Sequence, residues 1–122
     1  MSKNFDHEKA VKISKEVDPD KDFYEMIVDK IHDAPGKYTL KGLVESLGTK
    51  SIYYTPKEAI AMLEAIYEAL REQQQFILTN RLDLDNVDDL FNETFNKIYE
   101  IAENHHKVEL LAALNDCCME GD

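Results

Sequence analysis

Residues 55–75, TPKEAIAMLEAIYEALREQQQ, constrain the fold more than any other stretch of this chain. Thr55 stands at the N-cap position, Pro56 at the first helical position and Glu58 at the third. That arrangement satisfies the orphan amides of a first turn. Ala59, Ile60, Leu63, Ile66, Tyr67 and Leu70 then recur at the spacing of one helix face. The pattern predicts an amphipathic helix of about five turns, long enough to organise a core. Glu64, Glu68 and Glu72 fall one turn apart on another face and are expected as a solvated stripe.

Such a helix needs partners with matching apolar faces, and the rest of the chain supplies them. Phe23, Ile27, Val28 and Ile31 share helical spacing, in an element that APGK at 34–37 ends. A short helix is expected next, with Thr39 as N-cap, Leu40, Leu43, Val44 and Leu47 inward, and Gly48 at the C′ position. Beyond residue 85, Leu90, Phe91, Phe95, Ile98 and Ala102 face inward from a helix capped by Asp85. A last helix carries Leu110, Leu111, Leu114, Cys117 and Cys118. Residues 76–85 change period and fit either two short strands around Asn80, forming a β-hairpin, or an extended linker. Residues 1–17 read as a polar N-terminal segment, a short helix or tail, with Val11 and Val17 as weak anchors. The expected fold is mainly α, a compact bundle of about five helices forming one domain over residues 18–122.

Charge narrows the function classes. The chain carries a formal net charge of −11, placed unevenly. From residue 83 onward eleven Asp and Glu face two Lys, so this part holds −9 and the first 82 residues only −2. A half so negative repels phosphate backbones and anionic membranes, which argues against nucleic acid or lipid as a partner through it. It suits a basic protein partner. The longest apolar runs, such as Phe76–Leu78, are far too short to span a bilayer, and the first residues lack the apolar core of a signal peptide. Two adjacent cysteines make no disulfide framework, and a cytoplasmic location is the expectation.

The most chemical-looking stretch is the end of the chain, ENHHKVELLAALNDCCMEGD. Glu103-x-x-His106 has the spacing of one half of a helical di-iron site, but no second Glu-x-x-His exists to complete it. Cys117 and Cys118 lack the C-x-x-C spacing of zinc and redox motifs, and their period continues the apolar stripe of Leu110 and Leu114. Asn104, His105 and His106 read as a polar hinge between two helices. DPDKDF at 18–23 begins like a calcium loop, yet Phe23 stands where the loop needs glycine, so the aspartates read as helix caps. With only four glycines there is no P-loop, dinucleotide fingerprint or nucleophile elbow. No catalytic residue, cofactor or metal ligand is therefore assigned.

Two short resemblances bear on function. YTLKGLVESLG at 38–48 resembles the capped second helix of helix-turn-helix proteins, with FILTNRLDLD as a wing. The likeness implies a degenerate winged-helix regulator. The helix after Thr55, however, carries Glu58, Glu64, Glu68 and Glu72 against Lys57 and Arg71, unlike a DNA reader. SIYYTPKE at 51–58 is similar to the tyrosine-pair segment of colicin-type nuclease immunity proteins, small acidic inhibitors that cover a basic nuclease. That likeness covers a few residues only: Thr55 separates the tyrosines from the proline, and Lys37, Lys41 and Lys50 stand where that family is acidic. The leading expectation is a protein–protein interaction or inhibitor-type module for a basic partner, with self-association as a further use. Asp83, Asp85, Asp88, Asp89 and Glu93 would supply its electrostatic contact, and Tyr53 and Tyr54 its aromatic anchors. The competing expectation is a metal-dependent enzyme built on His105 and His106 with Glu103 and Glu109.

Overall fold

Thr55 caps the central helix as its sequence requires. Its Oγ1 accepts from the Glu58 amide at 3.3 Å and donates to Glu58 Oε1 at 2.7 Å. The computed structural model describes residues 4–17, 21–33, 37–75 and 87–118. Within them are six α-helices: α1 (His7–Ser14), α2 (Lys21–Asp33), α3 (Lys37–Lys50), α4 (Pro56–Glu72), α5 (Val87–Asn104) and α6 (Val108–Asp116). A 3-10 turn, Ser51–Tyr53, joins α3 to α4. The fold is mainly α, and among the described residues no strand forms and no helix is long and apolar enough to cross a membrane. The expected hairpin at 76–85, with Asp83 and Asp85, lies outside the described residues.

α4 touches all five other helices, because its apolar positions wrap around most of its circumference. Ile60, Leu63, Ile66 and Leu70 are fully buried, and Ala59, Ala65 and Ala69 let neighbouring backbones come close. Ile27 and Ile31 of α2, Leu40, Val44 and Leu47 of α3, Phe91, Phe95 and Ile98 of α5, and Leu110 and Leu114 of α6 complete one continuous core. The expected inward positions from 27 to 114 are largely those that the core uses.

α3 departs from the expected pattern at both ends. It starts at Lys37, ahead of the expected cap Thr39, and runs through Gly48 to Lys50. Gly48 does not stop the helix; it is where α5 crosses α3. A Cβ built there would stand 2.7 Å from Ile98 Cδ1 and 3.0 Å from Thr94 Cγ2. The buried Ser51 hydroxyl donates to the Gly48 carbonyl at 2.6 Å and ends the helix three residues later.

The polar N-terminal segment forms α1, which packs along α4. Its anchors are Phe5 and Ala10, both buried, while the expected anchors Val11 and Val17 are only half-buried. The Phe5 ring, 4% exposed, meets Phe91, Phe95 and Tyr67 at centroid distances of 4.7, 5.3 and 5.4 Å. Backbone pairing joins the segment before α1 to the segment after α6. Phe5 forms an isolated antiparallel bridge with Cys118, and the Asp6 amide donates to the Cys117 carbonyl at 2.7 Å.

Candidate functional site: an acidic groove on α3 and α5

α5 begins with Asp88 and Asp89, negative charges that the positive end of the helix dipole favours. Leu90, Phe91, Thr94, Phe95, Ile98 and Ala102 turn inward. The same periodicity leaves Asp89, Glu93, Lys97, Glu100 and Glu103 outward along about 20 Å of helix. Facing them across the α3–α5 contact stand Lys41 and Glu45 of α3. Together with Asn4 these residues line an open groove of about 1080 Å³. Five carboxylates line it against two lysines. Both lysines are engaged within it: Lys41 Nζ lies 3.2 Å from Glu93 Oε2, and Lys97 Nζ lies 3.0 Å from Glu45 Oε2. Five carboxylates against two lysines leave the groove with a negative surplus of charge.

The expected acidic contact is divided. Asp89 and Glu93 line the groove. Asp88 turns toward α4 instead, where Arg71 Nη1 lies 3.3 Å from Oδ2 and the Tyr67 hydroxyl donates to Oδ1 at 3.2 Å. Burial, and then the Asp88 charge, push the Tyr67 phenol above its ordinary range. Tyr53 and Tyr54 are 82% and 50% exposed, but they precede α4, whereas Asp88 sits beside Arg71 in its last turn. The tyrosines and Asp88 thus lie at opposite ends of a helix about 25 Å long. Tyr54 instead lines a shallow hollow with Pro56, Lys107 and Val108, four residues past the Glu103 end of the groove. Val108 is 73% exposed, an apolar contribution that the sequence pattern assigned no role.

The C-terminal histidines and cysteines serve the architecture. His105 and His106 form the turn between α5 and α6. The His106 amide donates to Glu103 at 3.1 Å and the Lys107 amide to Ala102 at 2.9 Å, the two bonds of a Schellman cap, with His106 at φ 56°. Cys117 is a fully buried free thiol, and burial pushes its pKa up to about 12, so it packs as a small hydrophobe. Cys118 donates to the Leu114 carbonyl. α2 starts at Lys21, inside the span a calcium loop over 18–29 would need.

The solvated stripe on α4 needs correction. Glu68 and Glu72 are exposed, but Glu64 is 7% exposed, because α1 lies over it. His7 Nε2 sits 2.9 Å from Glu64 Oε1, and the His7 ring packs on Tyr67 at 4.7 Å between centroids. Burial, reinforced by Glu68, holds the Glu64 carboxyl above its ordinary value of 4.5, although His7 opposes the shift. His7 and Glu64 are 57 residues apart, so no local spacing announces the pair. At the other end of the stripe the Tyr24 hydroxyl donates to Glu72 Oε2.

Compared with known protein families, with curated proteins and with solved structures, the chain matches none of them. The functional reading rests on the geometry of its own residues.

Proposed function

We propose that this chain is a protein-interaction module whose acidic groove, between α3 and α5, receives a lysine- or arginine-rich segment of a basic partner. One observation carries the reading: a concave surface lined by five carboxylates whose two lysines are already tied to glutamates inside it. Complementary charge of this kind mainly steers encounter and rejects acidic competitors. Tyr54 and Val108, in the hollow that follows the Glu103 end of the groove along the chain, offer the apolar contact that holds a bound partner. The sign of the groove disfavours nucleic acid. The free thiol of Cys117 suits a reducing compartment, and we read the protein as cytoplasmic on that ground.

The test compares wild-type protein with a triple variant, Asp89→Asn, Glu100→Gln and Glu103→Gln, as bait in lysate of the source organism. Bound protein is eluted by raising salt. The reading expects a basic protein that salt releases from the wild type and that the variant fails to retain, with at least about tenfold slower association at low ionic strength. Equal retention by both baits would remove the groove from consideration.

A further inference from the structure

We propose that His7, Glu64 and Glu68 form a binding site for one divalent transition-metal ion, with Zn²⁺ as its probe, which staples α1 to α4. The three side chains come from two helices. Glu64 and Glu68 stand one turn apart on α4, and His7 opens α1 above them. One ligand atom from each lies within 4.8 Å of the other two, and among the described residues this is the group of three that could hold a metal ion.

An imidazole nitrogen and two carboxylate oxygens are a donor set that Zn²⁺ accepts, at bonds of about 2.0–2.2 Å. Around a tetrahedral ion such donors stand about 3.4 Å apart. The His7–Glu64 contact of 2.9 Å then needs only modest lengthening, and the exposed Glu68 side chain is free to swing inward. The His7 ring is held in place by Tyr67 with Nε2 directed at Glu64, and a bound ion would take the place of the proton in that hydrogen bond. Three protein donors leave one position of a four-coordinate ion to water, on the open side of the site where Glu68 lies.

Glu64, which is buried, and Glu68, which is exposed, bring two carboxylates to one place, and a cation offsets their repulsion. A hydrogen bond between His7 and Glu64 would by itself dock α1, but it gives Glu68 no part. Glu68 therefore separates the two roles. Because it is exposed, its replacement leaves the core intact.

The experiment uses the full chain, stripped by chelator and dialysed. Zn²⁺ is titrated by calorimetry into the wild type, Glu68→Gln, and the double variant His105→Ala, His106→Ala, while circular dichroism checks each fold. The proposal expects one equivalent bound by the wild type, with a melting temperature that climbs as Zn²⁺ is raised. Loss of an outer-shell partner alone costs a metal site about 10- to 100-fold, so Glu68→Gln should weaken binding by at least tenfold. The double variant should bind as the wild type does. Absence of stoichiometric binding by the wild type would overturn the proposal. So would undiminished binding by Glu68→Gln, or loss of binding in the double variant, which would move the site to the α5–α6 turn.

Discussion

Two single residues act against stability in this fold, and each yields a measurable change. Glu64 is buried under α1 with its carboxyl held above the ordinary 4.5. A carboxyl shifted upward keeps its proton longer in the folded chain than in the unfolded one. Stability therefore falls as pH climbs from about 4.5 through the raised folded value. Glu64→Gln removes that penalty while keeping an amide to bond His7. Thermal melts should place the variant above the wild type at pH 7, with the gap closing as pH falls toward 4.5. A variant less stable at pH 7 would mean that the His7 pairing outweighs the burial. His106 is the second case, a non-glycine residue at φ 56° closing the α5 cap. His106→Gly should stabilise the protein by up to about 1 kcal/mol in urea unfolding, because glycine adopts that conformation without steric cost. Of these features, the polar turn at His105 and His106 was legible in the sequence. Burial of Glu64 was not, since the side chain that covers it comes from a segment 57 residues away.

Among the elements, α4 was the most legible. Thr55, Pro56 and Glu58 fix its start through bonds made within one turn, and its apolar period needs no knowledge of its neighbours. The extent of α3 was less so, because glycine at a helix end and glycine at a helix crossing look identical in one sequence. Two glycines within this helix separate the meanings. A Cβ added at Gly42 meets nothing within 4 Å, while one at Gly48 meets Ile98 and Thr94. Gly42→Ala should therefore raise stability by about 0.5–1 kcal/mol through backbone entropy alone. Gly48→Val should lower it by about 1–3 kcal/mol, since α5 would be pushed away from α3. Denaturant titration of both variants checks the pair, and a neutral Gly48→Val would remove the close crossing from the account. Phe5 escaped the pattern for a related reason. A single aromatic ring in a polar segment has no period, yet tertiary contacts with Phe91, Phe95 and Tyr67 make it part of the core.

At the scale of the whole molecule, the sequence announced a negative C-terminal part, and the fold decides what shape that charge takes. Burying one face of α5 aligns Asp89, Glu93, Glu100 and Glu103 along the opposite one, and α3 supplies the second wall. The sum of charges was legible; the groove was not, because it depends on which helix crosses α5. Asp88 makes the same point in reverse, its charge engaged by Arg71 and Tyr67 across the α4–α5 contact. The groove and the hollow at Tyr54 and Val108 follow one another along the chain, from Glu103 to Lys107. A partner with a basic stretch next to an apolar side chain would fit both. The most direct measurement is an amide chemical-shift map of this protein, titrated with the basic protein that salt elutes from it. The account predicts shifts concentrated at Lys41 and Glu45 and from Asp89 to Glu103, fading as ionic strength rises. Shifts centred on α1 and α2 instead, or a groove left silent by a bound partner, would contradict it.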